Sequence, residues 1–477
     1  MSQIIETAPA LKLTVAEIEE QLLPELTKYH EIYSPLFQRR EQREQSEKYL
    51  RGLLSELANK SVESMILQRE GDKPKAIRAG QQFLSQGAWA DGPILLRHWQ
   101  EVECDLGEAN GVLIVDGSDF PKQGQESVGV KRQMCGELGK VANCQAGVFL
   151  SYASSKGYTL LNRCLYLPRE WLEDPAYAER RYACGVPAEI DFQTKPQLAA
   201  AMVKAMHEAA SLRYRWLTCD AAFGRDPSFL DTVGEVVAYF AEVDFDTAVW
   251  PARPLMAVPA WSGQGRKPTH KKLVAGAPSS QTVAALTQAL PASAWQRLTI
   301  KEGSKGPLVA DFASLQVVAV RNQQPGPDVW LVVRRTLDAQ ETKYYLSNAP
   351  ADTTLCTFAW LSGMRWPIES CFEEGKQELG MGDYQVRSWT GWHHHMTLVI
   401  LAHFFLVRLR LKFKEKAPAL TLPQTVLLVR AILPKPVFDA QLALDIVLYR
   451  QRRNHDAYLS HRRARLRKLD AVPEVSL

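Results

Sequence analysis

The chain has 477 residues, of which 46% are hydrophobic and 23% are charged, a composition that is typical of a folded globular protein and excludes extensive disorder. Its formal net charge is only +4, which at first argues against a protein that coats nucleic acid. The charge is unevenly spread, however, since residues 408–477 hold 15 Lys and Arg against 6 Asp and Glu. This asymmetry predicts a basic C-terminal region with an anionic partner, attached to an acidic body.

The sequence also argues against a membrane or secreted protein. The longest apolar run near the C-terminus, residues 396–407, contains His403, ends at Arg408 and is too short to cross a bilayer. The N-terminus lacks a signal-peptide pattern. The eight cysteines form no C-x-x-C pair, which favours reduced thiols over a disulfide framework or a zinc site. We therefore expect a cytoplasmic protein.

In chain order, the first predicted elements are helices over residues 14–68, followed by two units in which an aspartate ends a strand. The apolar run GVLIVD predicts a strand buried on both faces, with Asp116 where the strand runs out. RWLTCDAAFGRD repeats the pattern, with Asp220 directly after residues 216–219. Two further strands and a helix at 195–212 lie between them. This order predicts an α/β fold with two carboxylates at strand ends.

Residues 250–350 change character, because a stretch rich in Pro and Gly is followed by alternating strands such as DVWLVVRRTL and TKYYLSN. This pattern predicts a β-rich insertion. Helices are expected again at about 353–380 and 392–414. The basic end of the chain, YRQRRNHDAYLSHRRARLRK, has no clear predicted order.

The segment RWPIESCFEEGKQELG supplies a third carboxylate. On one continuous helix, Arg365, Glu369 and Lys376 would lie within about 40° of one another, whereas Glu374 and Glu378 would face away. Three carboxylates from two strand ends and a helix would suit magnesium, which prefers oxygen ligands. Each residue alone has a plainer interpretation, since such aspartates usually cap or turn the chain and helical glutamates usually face solvent.

These residues resemble the DDE transposases of insertion sequences, which have an RNase H-like catalytic core. The closer resemblance is to the insertion sequence 701 family, in the group marked by a Y-(2)-R-(3)-E-(6)-K signature. That signature reads Ser362-(2)-Arg365-(3)-Glu369-(6)-Lys376 here. Further matching stretches include VDGSDFPKQGQESVGVKRQMCGELGKVANCQAGV, TCDAAFG, GPLVADFASLQVVAV, KYYLSNAPADTTL and GWHHHMTLVILAHFFL.

The resemblance implies a catalytic triad of Asp116, Asp220 and Glu369 that holds two Mg²⁺ ions, with Mn²⁺ as a substitute. Asp119 and Asp226 stand close by as competing carboxylates. We prefer the earlier aspartate of each pair because it ends an apolar run, where a strand would hold it in place.

The resemblance also implies that Arg365 and Lys376 bind DNA phosphates beside the cut. Ser362 and Lys122 are further predicted DNA contacts, although an exposed lysine without such a role is the alternative for Lys122. Ser362 replaces the tyrosine of the signature, a ring associated in the family with holding the DNA end beside a hairpin. Serine can bond a phosphate but cannot stack on a base, so whether a hairpin forms stays open.

The implied function is cut-and-paste transposition, in which the enzyme cleaves double-stranded DNA at terminal inverted repeats and joins the freed ends to target DNA. A homodimer in the synaptic complex, a bacterial cytoplasmic location and the absence of a membrane partner follow from the same resemblance. Two alternatives remain. One is an RNase H-like endonuclease without strand transfer, and the other is a co-opted, non-catalytic regulator that binds DNA ends.

The predicted fold class is therefore α/β, an RNase H-like core interrupted by a β-rich insertion, with a helical N-terminal region and a helical basic C-terminal region. The predicted domains are a helical DNA-binding region at 1–105, the first part of the core at 106–249, the insertion at 250–350, the second part of the core at 351–407 and the basic region at 408–477.

Overall fold

The computed structural model describes residues 10–470 except 262, 265, 267, 304, 305 and 436. Five helices precede the first strand, and together they supply much of the N-terminal part of the hydrophobic core. Thr14 begins the first helix with a capping box, in which its hydroxyl accepts from the backbone N–H of Glu17 and the Glu17 carboxylate accepts from the backbone of Thr14. These helices are α1 (Val15–Tyr33), α2 (Arg40–Leu54), α3 (Val62–Glu70), α4 (Pro74–Ser85) and α5 (Asp91–Leu106).

A mixed sheet follows the helices. Its strands in the first half of the chain are β1 (Val112–Pro121), β2 (Lys131–Cys135), β3 (Lys140–Ala153), β4 (Tyr158–Tyr166), β5 (Trp216–Cys219) and β6 (Ala238–Val243). The short helices α6 (Arg169–Glu173) and α7 (Ala178–Ala183) and the longer α8 (Lys195–Ala209) connect β4 to β5, and α9 (Ala221–Gly224) and α10 (Pro227–Gly234) connect β5 to β6.

The order of these strands across the sheet is β4-β3-β1-β5-β6. β1 is antiparallel to β3 and β3 to β4, whereas β1, β5 and β6 run parallel to one another. An antiparallel three-stranded meander continued by two parallel strands is the arrangement of an RNase H-like core. The predicted α/β fold class is confirmed.

The β-rich segment continues this sheet. Its strands are β7 (Ala248–Trp250), β8 (Met256–Ala257), β9 (Lys272–Leu273), β10 (Gln281–Thr282), β11 (Gln296–Gly303), β12 (Gly306–Arg321), β13 (Gln324–Arg335) and β14 (Thr342–Ser347), with helix α11 (Val283–Gln288) between β10 and β11. β14 pairs antiparallel with the core strand β6, so within the described residues twelve strands form one sheet, while β8 and β9 pair separately. The boundaries predicted for the domains stay a prediction.

The second half of the core is helical, and one helix lies at its centre. The elements are α12 (Leu355–Leu361), α13 (Trp366–Glu378), α14 (Trp389–Lys412), α15 (Leu422–Ile432) and α16 (Ala440–Asp470). α14 is long and apolar enough to cross a membrane by composition, but 83% of its apolar window is buried inside the protein. It packs against β4, α2, α4, α5 and α15, which explains why it is apolar on nearly every side.

Two local predictions were wrong. β1 does not end at Asp116 but pairs with β3 over ten residues, as far as Pro121. The helix expected at about 353–380 is two helices, because α12 ends at Ser362 and α13 begins after Arg365. The helical character predicted for the basic C-terminal region is confirmed, because its end forms the single 31-residue helix α16.

Candidate active site

Two of the predicted carboxylates lie side by side on neighbouring parallel strands. The register pairs Val115 of β1 with Cys219 of β5, so Asp116 and Asp220 each follow a paired residue at the same level of the sheet. Val115 and Cys219 are essentially fully buried, and this apolar floor holds the two aspartates in place. Only 14% of the Asp116 side chain is exposed. Strand pairing therefore brings together two carboxylates that are about a hundred residues apart in the chain.

The third carboxylate, Glu369, lies in the first turn of α13. Pro367 is close to the start of this helix, where its missing N–H costs no hydrogen bond. Arg365 is the residue before the helix and points its guanidinium at both groups. One nitrogen lies 3.2 Å from Asp116 Oδ2 and another lies 2.6 Å from Glu369 Oε1. Arg365 thus bridges the strand carboxylate and the helix carboxylate.

The electrostatics of the site show more negative charge than one arginine neutralises. Burial, followed by the nearby carboxylate of Asp220, raises the pKa of Asp116 to about 7. Burial also raises the pKa of Asp220. Burial opposes the charge of Arg365, but the carboxylates of Glu369 and Asp116 outweigh it and raise the pKa of that guanidinium. The cluster is therefore short of positive charge, as a cation-binding site would be.

The donor set fits a hard divalent cation, because it consists of carboxylate oxygens alone. Across the part of the chain that the structure describes, however, no group of three His, Cys, Asp or Glu side chains stands ready as a metal cage. One reason is visible in the contacts, since Arg365 occupies one oxygen of Asp116 and one of Glu369. A metal bound by all three residues would require Arg365 to release those oxygens.

The competing aspartates have other partners. Oδ2 of Asp119 accepts from the backbone N–H of Gly136 at 2.6 Å. Asp226 caps α10 and accepts from the N–H groups of Ser228 and Phe229. Asp220 also caps a helix, α9, but in addition it is coupled electrostatically to Asp116 and Arg365. Proximity to the other carboxylates therefore distinguishes Asp220 from Asp226, whereas helix capping does not.

Lys376 lies on the same face of α13 as Glu369, as predicted from the seven-residue spacing. Its ammonium donates to the carbonyl of Asp119 at 3.3 Å and pairs with Glu137. Glu374 and Glu378 face away, as predicted, because Glu374 bonds Tyr158 and His403 while Glu378 pairs with Arg430. Lys376 is thus directed toward the active-site end of β1.

Ser362 and Lys122 differ in how available they are to DNA. Ser362 ends α12, and its hydroxyl donates to the carbonyl of Ala359 at 2.7 Å. Lys122 is partly buried, with its ammonium 3.4 Å from the centre of the Tyr384 ring and 3.2 Å from that residue's carbonyl oxygen. Burial lowers the pKa of Lys122 to about 8. These contacts give Lys122 a structural use, and its predicted role as a phosphate contact stays a prediction.

A cavity of about 150 Å³ opens beside Glu369, where the β-rich segment meets the core. Three cations that the sequence did not single out line it, Lys301 of β11, Arg334 of β13 and Lys343 of β14. Lys343 pairs with Glu242 of β6. In the sequence, each of these residues is simply a charged residue within the predicted β-rich insertion. Many exposed strand positions carry such residues, so this signal did not distinguish them. Their common location could not have been inferred without the strand order.

The three consecutive histidines each have a separate environment, as predicted from their helical spacing. His394 stacks on Trp89 with ring centroids 3.5 Å apart, and its two nitrogens lie near the carbonyls of Leu84 and Trp89. His395 Nδ1 lies 2.8 Å from the Tyr49 hydroxyl, and burial lowers the pKa of this imidazole to about 3. These side chains hold α14 against the N-terminal helices.

Comparisons with known proteins identify a matching family and a similar solved structure. A family model described as DDE superfamily endonuclease matches residues 32–307, more than half of the chain, a range that includes Asp116 and Asp220 and ends before Glu369. No curated protein matches the chain. Among solved structures, it is similar to the piggyBac transposase in a synaptic complex with hairpin DNA. That similarity has a TM-score of 0.37 and 10% identity, over 91% of this chain and 84% of that one.

Proposed function

This chain belongs to the DDE superfamily of endonucleases, and from that membership we propose that it is a cut-and-paste DNA transposase. The observation that carries the proposal is the meeting of Asp116, Asp220 and Glu369 around Arg365 in an RNase H-like core. The Ser362-to-Lys376 signature supports the finer assignment to the insertion sequence 701 family. The substrate would be double-stranded DNA, at the terminal inverted repeats of the element and then at the target.

The proposed chemistry is two successive displacements at phosphorus. In the first, a water oxygen bonds to phosphorus as the P–O3′ bond breaks, which frees a 3′-hydroxyl at the end of the element. In the second, the oxygen of that hydroxyl bonds to a phosphorus of the target as the target's own P–O3′ bond breaks, which releases a target 3′-hydroxyl. Asp116, Asp220 and Glu369 would hold the divalent cations. Bound Mg²⁺ or Mn²⁺ would supply the Lewis acidity that activates the attacking oxygen and stabilises the leaving oxygen.

Arg365 has two uses in this scheme. Without metal, its guanidinium partly neutralises Asp116 and Glu369, so the three carboxylates can stay close together. With those oxygens engaged by a cation, the planar guanidinium of Arg365 would be free to turn its N–H groups to a phosphate, for which its geometry is well suited. Lys376, on the same helix, would hold the neighbouring phosphate as a point charge. Arg365 and Lys376 would neutralise negative charge and hold phosphates, and neither would form or break a covalent bond.

The assembly proposed for the reaction is a homodimer that pairs two ends of the element in the bacterial cytoplasm. Helix α16 packs on α3 and pairs with Glu63 and Asp72 through Arg453 and Arg452, but most of its second half is exposed, which supports a second contact with duplex DNA. All residues of α16 from Arg450 to Arg467 are exposed except Leu459, and arginines predominate among their charges. This cationic helix would add affinity that depends on salt and not on base sequence.

The proposal is tested by cleavage of duplexes that carry the terminal repeat flanking the coding sequence in its source DNA. Asp116→Asn, Asp220→Asn and Glu369→Gln should each reduce Mg²⁺-dependent cleavage by at least roughly a thousandfold. Asp119→Asn and Asp226→Asn are matched controls, because they make the same chemical change nearby, and they should keep most of the activity. Full cleavage by any of the three triad variants would contradict the assignment.

A second assay separates the proposed function from the alternatives. Precut ends with a free 3′-hydroxyl are incubated with supercoiled target DNA, and joined products are measured. Cleavage of intact ends without joining of precut ends would identify an endonuclease. Binding of ends without cleavage in either metal would identify a non-catalytic regulator.

A further inference from the structure

The hairpin formed by β2, β3 and the turn between them exposes apolar side chains beside the carboxylates. Met134 is 64% exposed, Val141 is 52% exposed and Leu138, in the turn, is 46% exposed. Met134 and Val141 are direct cross-strand partners, so they lie on the same face of the hairpin. We call Met134, Leu138 and Val141 the tip patch. Clustered exposed apolar side chains, unlike scattered single ones, are a feature of contact sites.

Cations flank the tip patch. Arg132 is two residues before Met134 on the same face of β2, and Lys140 directly precedes Val141. Both are exposed, and neither has a carboxylate within salt-bridge distance among the described residues. The one acidic residue of the turn, Glu137, is paired with Lys376. The surface around the patch is therefore apolar at its centre and positive at its edge, which is complementary to nucleic acid.

The hairpin is tied to the active site by two contacts, and a third joins the elements that it contacts. Gly136 donates its backbone N–H to Asp119, three residues after Asp116 on β1. Lys376 of α13 pairs with Glu137 and also donates to the carbonyl of Asp119. The patch thus has a fixed position relative to both β1 and the helix that carries Glu369.

We propose that the tip patch is a wedge that inserts into the DNA duplex next to the cleaved phosphodiester and unstacks a base step there. Apolar side chains of this kind enter between base pairs in proteins that kink DNA, and cations hold the phosphates on either side. Arg132 and Lys140 would make those phosphate contacts. Opening the duplex would let the scissile phosphate reach carboxylates that lie in a partly buried site. This inference rests on the proposed function, because it takes duplex DNA as the substrate.

The test replaces the patch without disturbing the strands. Met134→Thr/Val141→Thr keeps side chains that favour β-structure but removes most of the apolar surface. The probe is a duplex of the terminal repeat with 2-aminopurine placed in turn at each position within three base pairs of the cut. Wild type, bound without divalent metal, should raise the fluorescence severalfold at one step. The double variant should bind the duplex without this rise in fluorescence at any position.

Cleavage gives the second readout. The double variant should cleave the intact duplex at least about tenfold more slowly than wild type, whereas a substrate with a mismatch at the unstacked step should restore its rate, because the base pair no longer has to be opened. Met134→Leu/Val141→Ile, which keeps the apolar surface, should behave as wild type. Leu255→Ser, a change at another exposed apolar residue, is the control for a general loss of surface hydrophobicity.

Three results would overturn the wedge. They are a wild-type complex without any rise in fluorescence, a double variant with the same rise as wild type, and a double variant whose slow cleavage the mismatch does not restore. The fluorescence signal needs binding alone, so it reports on the wedge even if no cleavage is seen. Failure of cleavage by the wild type with either metal would instead count against the proposed function.

Discussion

Replacement of Asp116 by asparagine should stabilise the metal-free protein, and more so at high pH. Burial and the carboxylate of Asp220 raise the pKa of Asp116 from its ordinary value of 3.8 to about 7. Between pH 3.8 and about pH 7, Asp116 therefore keeps its proton in the folded state but has lost it in the unfolded state. The free energy of unfolding contributed by this group is fully present below pH 3.8 and is lost as the pH rises through about 7.

The size of this stability difference follows from the shift in the pKa of Asp116. About three pKa units at about 1.4 kcal/mol each amount to roughly 4 kcal/mol. Only 14% of the Asp116 side chain is exposed, so little of this is screened by solvent. Asparagine stays neutral at every pH, so the stability of Asp116→Asn relative to wild type should rise by about 4 kcal/mol between pH 4 and pH 8.

Urea denaturation of both proteins in EDTA at several pH values measures this difference, and titrating groups outside the cluster around Asp116 cancel between them. Asp119→Asn reports on the same amide replacement elsewhere on β1. Addition of Mg²⁺ at pH 8 should stabilise wild type and leave Asp116→Asn unchanged, because the binding free energy adds to the folded state. A difference between variant and wild type that is independent of pH, or that favours wild type at pH 8, would refute the electrostatic reasoning.

Three further outcomes are expected. With the metal well below saturation, cleavage should rise about tenfold per pH unit up to about pH 7 and then level off, because the metal-free Asp116 must lose its proton before it binds a cation; a flat profile from pH 5 to 8 at that metal concentration would contradict this. Lys60→Met should lower the free energy of unfolding by about 1–3 kcal/mol in urea, because the buried ammonium donates to the carbonyls of Leu53 and Glu378. Deletion of residues 450–477 should weaken binding of DNA ends and flatten its dependence on salt in anisotropy titrations, whereas an unchanged slope would show that α16 does not contact DNA.

Local sequence patterns were sufficient to predict several elements near the active site. The apolar run at 112–115 predicted a strand buried on both faces, and all four residues are fully buried in β1. Helical spacing placed Glu369 and Lys376 on one face of α13, and Glu374 and Glu378 on others. Such predictions succeed because the types of neighbouring residues along the chain are sufficient to show burial on two faces and helical periodicity.

The same local reasoning failed where distant pairing extends or interrupts an element. Asp116 resembles the end of a strand because polar residues and a glycine follow it. The ladder with β3 nevertheless continues to Pro121, since strand hydrogen bonds need a partner and not an apolar side chain. The helix around residue 362 ends early, so Arg365 precedes α13 and is free to turn toward β1.

By itself, the sequence determined which residue types were available for a carboxylate site, the α/β class of the fold and the uneven charge of the chain. Only the tertiary structure decided that Arg365 bridges to Asp116, 249 residues away, and that β14 joins β6 so that the β-rich segment extends the core sheet. The tertiary structure also placed the tip patch beside the carboxylates and the ammonium of Lys122 over the buried ring of Tyr384. These arrangements depend on pairing between distant strands, and no local pattern records which strand becomes the neighbour of another.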